Sequence, residues 1–98
     1  MIVARFAVHC HPAYTDRMSA AIAAVEAPSR GLPGVLHFDT ARSLTDPDAF
    51  VVLEVFADAD ALDRQNAQSE VAAVLALVAE GALTEDYEWT VWEASVTG

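Results

Sequence analysis

Residues 34–43 read GVLHFDTARS, residues 45–48 read TDPD, and residues 49–62 read AFVVLEVFADADAL. Both flanks are rich in apolar, β-branched and aromatic residues. The Asp-Pro-Asp segment between them favours a turn, because proline fixes φ and aspartate side chains accept local hydrogen bonds. After Phe56 the apolar period changes from two to helical, and Asp58 is placed to cap a helix. The stretch therefore predicts a β-hairpin that leads into a helix.

An apolar strand and an amphipathic helix precede this hairpin. Residues 2–10 are rich in valine, isoleucine and phenylalanine, which predicts a first strand. Apolar side chains then recur at helical spacing from Tyr14 to Val25. Pro28 removes a backbone hydrogen bond, so the helix is expected either to kink or to end near Ala27.

A split helix and a last strand follow the hairpin. The helical pattern covers residues 58–66 and 70–80, and Ser69 is placed to cap the second segment. Alternating residues over 87–96 predict a final strand. The order βαββαβ is that of the ferredoxin-like unit, an α+β fold with an antiparallel sheet in the expected strand order 4-1-3-2. One face of this sheet should meet the helices and the other a second subunit, giving a dimeric α+β barrel.

Residue parity predicts which side chains face the helices. One alternate set is entirely apolar in each of two strands: Ile2, Ala4, Phe6, Val8 and Cys10 in the first, and Val51, Leu53 and Val55 in the third. These uniform sets are expected to face the helices. Arg5 and Glu54 then project together onto the second face.

Length and composition indicate a small protein that associates with itself. The 98 residues fit one domain, residues 1–98, and a chain of this size buries only about 60 to 65% of its unfolded surface. Yet 54% of the residues are apolar and the mean hydropathy is +0.28. A small monomer does not easily hide that much apolar surface, so a homodimer is expected.

Charge and cysteine content narrow the range of partners. The net charge of −10 disfavours nucleic acid and anionic membranes, and neither partner is predicted. The single Cys10 forms no internal disulfide. The N-terminal residues lack a signal-peptide core, and no apolar run approaches the roughly 20 residues that span a bilayer. We therefore expect a cytoplasmic protein.

Glu54 is the one carboxylate within an otherwise apolar strand. A buried carboxylate without a partner has a raised pKa and is suited to proton transfer. The alternative is a structural ion pair with Arg5, or with Arg42 from the neighbouring strand, that fixes the register of the dimer. We favour the pair Arg5–Glu54, because structural ion pairs also perturb pKa values.

His9 and His11 share one face of the first strand. Two imidazoles do not complete a metal site and Cys10 points the other way, so no metal is predicted. The antiparallel last strand is expected to bring Tyr87 and Trp89 near the histidines, and aromatic rings beside a titratable group suit a phenolic ligand. The alternative is a solvated strand end with Trp89 packed in the core.

Gln65 and Asn66 lie at the end of the short helix. Their amides either contact a ligand in the groove between helices and sheet or form an exposed helix end. The sequence has no glycine-rich phosphate loop, nucleophile elbow or Cys-x-x-Cys pair, so no nucleotide cofactor is predicted.

The chain resembles the antibiotic biosynthesis monooxygenase family of dimeric α+β barrels. The resemblance covers most of the chain and rests on the helix end Pro28-Ser29-Arg30, the strand start Pro33-Gly34, the turn Arg42-Ser43…Asp46-Pro47, and Phe50…Glu54. It implies a monooxygenase without a cofactor that oxidises a quinol or polycyclic phenol with O2. Such an enzyme needs a base, donors that hold the substrate and an apolar cavity that excludes water.

The resemblance also implies roles for individual residues. The candidates are His9 or His11 as the catalytic base, and Tyr87, Trp89, Gln65, Asn66 and Phe6 as residues that contact the ligand. No metal, haem or flavin is implied.

Several positions depart from the family pattern. Family members often carry tryptophan where Phe56 stands, histidine where Gln65 stands and another histidine near Glu70. The haem-degrading branch uses asparagine, tryptophan and histidine at positions that align near Phe6, Gln65 and Leu75, so haem degradation is disfavoured. Two alternatives to the monooxygenase stay open: a dimeric protein that binds a small aromatic metabolite without converting it, and an isomerase or cyclase.

Overall fold

The computed structural model of the protein describes residues 1–97 and contains a four-stranded antiparallel sheet. The elements are β1 Ile2–His9, a short 3-10 helix Pro12–Tyr14, α1 Thr15–Arg30, β2 Val35–Arg42, β3 Ala49–Phe56, α2 Ala59–Asn66, α3 Ser69–Glu80 and β4 Glu88–Glu93. The strand order is β2-β3-β1-β4. The predicted ferredoxin-like fold and strand order are confirmed. Within residues 1–97, no helix combines the length and hydropathy needed to cross a bilayer.

The hairpin of β2 and β3 forms as its sequence predicts. In the turn, the Ser43 hydroxyl oxygen accepts a hydrogen bond from the Asp46 backbone N–H at 3.2 Å, and the Asp46 carboxylate accepts one from the Asp48 N–H at 3.0 Å. After β3, the Asp58 side chain accepts a hydrogen bond from the Ala61 N–H at 2.9 Å. This contact confirms Asp58 as the cap of α2, where it satisfies one of the free N–H groups of the first turn.

Helix α1 continues past Pro28 to Arg30 and does not end near Ala27. Side-chain hydrogen bonds secure the turn that follows the proline. The Ser29 hydroxyl donates to the Val25 carbonyl at 2.6 Å, and Arg30 Nε donates to the Phe38 carbonyl of β2 at 3.1 Å. These contacts connect the last helical turn to the turn before it and to the sheet. They offset the loss of the backbone hydrogen bond that proline cannot donate.

Helix α3 begins one residue earlier than its predicted cap implies. The cap position is Gln68, and its side chain makes no capping bond. Ser69 is already helical, and its hydroxyl bonds to the Glu70 carboxylate at 3.2 Å. The prediction that Ser69 caps the helix is wrong, because only two residues separate α3 from α2 and the extended position falls on Gln68.

The faces of β3 are opposite to those predicted. Phe6 pairs with Val52 and Ala4 pairs with Glu54, so Glu54 shares the helix-facing side with the buried part of β1. The set of Val51, Leu53 and Val55 lies on the outer face instead. Both parity sets of β3 are strongly apolar, and the set that enters the core contains the two largest side chains of the strand, Phe50 and Phe56.

The predicted ion pair between Arg5 and Glu54 is therefore wrong. Arg5 lies on the outer face opposite Leu53, and its guanidinium contacts the Glu88 carboxylate at 2.7 Å. The alternative partner, Arg42, lies over the Phe50 ring at 4.9 Å from the ring centroid. Arg5 does not reach Glu54 because it projects from the opposite face of the sheet. Arg42 shares the face of Glu54 but pairs with Phe50, four residues away along β3.

The core lies between the helices and the inner face of the sheet. Its buried members come from α1, α3 and three strands, and include Val8, Met18, Ile22, Val25, Phe38, Phe50, Val52, Val74 and Leu77. No helix covers the outer face, where Leu53 and Trp92 are 44% and 46% exposed. The helices therefore cover the inner face of the sheet, and the outer face leaves large apolar side chains accessible.

Gly34 is the glycine whose replacement should destabilise the fold most. Its φ of +83° is unfavourable for other residues, and a Cβ atom there would lie 2.7 Å from the Ala61 Cβ. We expect Gly34→Ala to lower the free energy of unfolding by about 2 kcal/mol or more, measured by urea denaturation. Gly31 is the matched control, because its φ is −85° and the nearest atom to a new Cβ is 3.6 Å away. Equal losses in Gly34→Ala and Gly31→Ala would contradict this account.

Candidate functional site

A cavity of about 300 Å³ lies between the helices and the inner face of the sheet. Its walls are mainly apolar: Ile22 and Val25 of α1, Phe38 of β2, Val52 of β3, and Val71, Val74 and Leu75 of α3. Its polar and aromatic lining comes from Glu54, Gln65, Asn66, Phe6, Tyr87 and Trp89. A mostly apolar cavity with a few converging polar groups is typical of a binding site for a small molecule.

The five residues predicted to contact a ligand all lie at this cavity. Phe6 and Tyr87 are in contact, with ring centroids 5.4 Å apart and planes inclined by 47°. Trp89 pairs with Phe6 across β1 and β4, so both project from the same face. Gln65 and Asn66 reach the cavity from the end of α2. The structure thus brings these side chains together, and their contact with a ligand stays a prediction.

Glu54 supplies the one carboxyl group of the cavity lining. The residue is 4% exposed, and no other side chain among residues 1–97 forms a hydrogen bond or ion pair with it. Within residues 1–97, every fully enclosed side-chain oxygen has a hydrogen-bond partner. Because the Glu54 carboxyl oxygens have none, they are accessible from the cavity. Burial raises the pKa of Glu54 from 4.5 to about 7. Its carboxyl group can therefore accept or release a proton near neutral pH.

His9 and His11 lie away from this cavity. His9 projects from the outer face of β1, with Nε2 3.0 Å from the Asp46 carboxylate and Nδ1 2.6 Å from the Thr84 hydroxyl. His11 is exposed at the start of the 3-10 helix. Trp89 faces the opposite side of the sheet from His9, so the strand end does not gather the histidines and aromatics as predicted. This placement does not support either histidine as a base for a molecule in the cavity.

His9 instead belongs to a small cluster with Asp46 and Asp48 of the hairpin turn. One ligand atom from each of the three residues lies within 4.8 Å of the other two. The Asp48 carboxylate also accepts a hydrogen bond from the Thr15 hydroxyl at 2.7 Å. Sequence reasoning missed this cluster because it considered only histidine and cysteine, although pairing of β1 with β3 brings the turn beside His9. We account for the cluster by these ion-pair and hydrogen-bond contacts and assign no metal to it.

The unpaired burial of Glu54 predicts a distinctive dependence of stability on pH. Between pH 4.5 and about 7 the folded protein holds a proton that the unfolded chain has released, so this residue stabilises the fold fully at low pH and less as pH rises. Above pH 7, ionisation of Glu54 lowers the free energy of unfolding by about 3 kcal/mol relative to its value at low pH. We expect Glu54→Gln to exceed the wild type in free energy of unfolding by about that amount at pH 8 and to match it near pH 4.5.

Chemical denaturation of both proteins across this pH range measures the difference. Every other titrating group is common to the two chains, so subtracting one curve from the other isolates Glu54. A constant difference between pH 4.5 and pH 8 would show that the carboxyl group is ionised in the folded protein with an ordinary pKa.

Comparison with known proteins supports a single family. The model of the family described as antibiotic biosynthesis monooxygenase matches residues 1–80. A crystal structure of an antibiotic biosynthesis monooxygenase is similar, with 21% sequence identity, a TM-score of 0.84, and coverage of 98% of this chain and 100% of that chain. The protein Rv0793 from Mycobacterium tuberculosis has 23% identity, a TM-score of 0.84, and coverage of 99% and 98% respectively.

At these identities the solved structures establish a shared fold alone. No curated protein matches the sequence. The family assignment rests on the sequence match, which spans the hairpin, α2, α3 and most of the cavity lining. From this match, the chain belongs to the antibiotic biosynthesis monooxygenase family.

Proposed function

We propose that the protein is a cofactor-independent monooxygenase that oxidises a quinol or polycyclic phenolic substrate with O2. The observation that carries the proposal is the Glu54 carboxyl group, buried without a partner and open to an apolar cavity. Family membership is consistent with this activity. Glu54 takes the role of base that the sequence suggested for His9 or His11.

The proposed reaction begins with transfer of the phenolic proton to Glu54. The resulting anion is electron-rich and passes an electron to O2, after which the two radicals combine. The product has gained one oxygen atom and lost two hydrogens, and the second oxygen atom leaves as water. The substrate supplies all four electrons, so the reaction requires no external reductant.

The walls of the cavity suit this chemistry. Phe6, Tyr87 and Trp89 offer flat aromatic surfaces against which a fused-ring substrate can stack. The aliphatic side chains of α1 and α3 exclude water, which would otherwise compete for the proton and for the reactive intermediate. A carboxyl group with a pKa of about 7 is well matched to proton transfer near neutral pH.

Oxygen consumption by metal-free protein, with no flavin added, tests this proposal. The substrates are anthrone, naphthol and hydroquinone, and product mass is measured together with O2 uptake. We expect product formation that falls about 10²- to 10⁴-fold in Glu54→Gln, because the base is lost. The rate should rise with pH through about 7 as Glu54 ionises. The double variant His9→Ala/His11→Ala is the control and should keep the wild-type rate.

The other outcomes separate the alternatives. Saturable binding of these compounds without O2 uptake would identify a binding protein. Turnover under anaerobic conditions would identify an isomerase or cyclase. Loss of activity in the double histidine variant, with Glu54→Gln unaffected, would overturn the assignment of the base.

We also propose that the protein is a homodimer whose subunits meet through the outer face of the sheet, forming the α+β barrel. Val3, Val51, Val55, Leu53 and Trp92 share that face, and Leu53 and Trp92 are nearly half exposed in the single chain. Exposed apolar surface of this kind is typical of an interface. The cytoplasmic location expected from the sequence also stays a prediction.

Light scattering coupled to size-exclusion chromatography tests the dimer. At micromolar concentration the wild type should have twice the chain mass of 10.5 kDa, and Leu53→Asp should be monomeric because it places a charge within the interface. Leu44→Asp is the control, since Leu44 is fully exposed in the hairpin turn, and it should stay dimeric. A monomeric wild type would refute the proposal.

A further inference from the structure

A chain of buried polar contacts ends at Gln65. The Ser29 hydroxyl lies 2.6 Å from the Val25 carbonyl, and Gln68 Nε2 lies 3.0 Å from the Ser29 hydroxyl and 2.8 Å from Gln65 Oε1. Ser29 and Gln65 are 0% and 1% exposed. The chain connects the end of α1 to the junction of α2 and α3, and its last member lies at the cavity.

The contact between Ser29 and Val25 fixes the direction of every hydrogen bond in this chain. Two oxygens 2.6 Å apart need a hydrogen between them, and a carbonyl has none, so the Ser29 hydroxyl is the donor. Ser29 can then only accept from Gln68, which requires the NH2 group of Gln68 to face it. The second hydrogen of that NH2 group points to Gln65, whose backbone carbonyl lies 3.4 Å and whose side-chain atom lies 2.8 Å from Gln68 Nε2. A side-chain atom at 2.8 Å from a donor nitrogen must be an acceptor, so Gln65 presents its side-chain oxygen to Gln68.

This arrangement leaves Gln65 as a hydrogen-bond donor at the cavity. With Oε1 bound to Gln68, the free end of the side chain is its NH2 group. Within residues 1–97, no acceptor is in hydrogen-bond contact with Gln65 Nε2, and no fully enclosed side-chain nitrogen or oxygen lacks a partner, so Nε2 is open to the cavity. A donor that faces an apolar cavity without a protein acceptor favours a ligand that brings an oxygen acceptor.

We propose that Gln65 Nε2 binds the oxygen of the deprotonated substrate and so selects compounds with a weakly acidic hydroxyl group. This inference rests on the proposed function and deepens it. When the substrate transfers its proton to Glu54, the negative charge moves from the carboxylate to the substrate oxygen. The cavity therefore holds one negative charge before and after the transfer. The amide stabilises that oxygen without adding a charge, and Ser29 and Gln68 act as positioning residues that keep its N–H directed inward.

The inference also defines which molecules the cavity rejects. A ligand that carries a permanent negative charge would meet the ionised Glu54 carboxylate in surroundings of low polarity, where like charges repel strongly. The substrate therefore enters as a neutral phenol or enol and ionises only once bound. An ether of the same ring system presents a weaker acceptor and no proton.

Binding of 4-nitrophenolate and 4-nitroanisole, which differ in the ionisable oxygen, tests this inference without O2. The experiment uses Glu54→Leu protein at mildly alkaline pH, because leucine supplies neither charge nor donor and the free probe is then ionised. We expect this protein to prefer the phenolate. Adding Gln65→Leu should weaken phenolate binding about 10- to 100-fold and change nitroanisole binding by less than about twofold.

Further variants keep the test decisive. If Gln65→Leu does not fold, Gln65→Met has nearly the length of glutamine, carries neither a charge nor an N–H donor, and should show the same selective loss. Ser29→Ala should weaken phenolate binding by less than Gln65→Leu does, because Gln68 is then free to reorient. Ser69→Ala, at an exposed residue of α3 outside the cavity lining, is the control and should retain the preference for phenolate. Asn66→Ala tests whether the neighbouring amide supplies the donor instead.

The inference is overturned if the Glu54→Leu protein shows no preference for phenolate, if Gln65→Leu retains that preference, or if the preference depends on Asn66 instead. Its failure is distinguishable from failure of the proposed function. Selective phenolate binding without O2 uptake by the wild type would support the inference and refute the monooxygenase. O2 uptake with unselective binding would do the reverse.

Discussion

The pairing of Ala4 with Glu54 across β1 and β3 places a carboxyl group inside an apolar layer, and the candidate site depends on that placement. A register shifted by one residue would put Glu54 on the outer face and leave the cavity without a carboxyl group. Phe50 and Phe56 hold the register, since both are buried on the same side as Glu54. The apolar packing of these neighbours on the strand therefore offsets the unfavourable free energy of burying the carboxyl group.

The cavity has polar groups of two kinds, and the structure positions each differently. Glu54 is held by the backbone of a strand in the middle of the sheet, and its carboxyl group has no polar partner among residues 1–97. Gln65 is oriented by a chain of hydrogen bonds that begins at a helix carbonyl. The first arrangement leaves a proton-transfer group sensitive to its surroundings, and the second leaves a donor with a fixed direction. Together they suit a reaction in which a neutral hydroxyl compound becomes an anion inside an apolar enclosure.

The sequence was sufficient to predict the hairpin and the cap at Asp58, because these features follow from local turn and capping chemistry. The strand order followed from the βαββαβ order of the elements. It was not sufficient for the faces of β3, where both alternate sets are apolar and only the size of Phe50 and Phe56 distinguishes them. The histidines were assigned to the site because β4 was expected to bring Tyr87 and Trp89 beside them, yet Trp89 pairs with Phe6 and so projects to the face opposite His9. Gln65 was identified from its position at a helix end, but its direction depends on Ser29, which is distant in sequence.

Gln65 departs from the family pattern, in which histidine is often found at this position, but it can make the same kind of hydrogen bond to a ligand. An imidazole and an amide both offer an N–H donor, and Gln68 supplies the contact that orients the amide here.

The titration of the Glu54 carboxyl carbon, followed by NMR with a Glu54→Gln spectrum for assignment, tests the central claim most directly. The account predicts a midpoint of about 7, and a midpoint near 4.5 would show that the carboxyl group is solvated or paired and would contradict it.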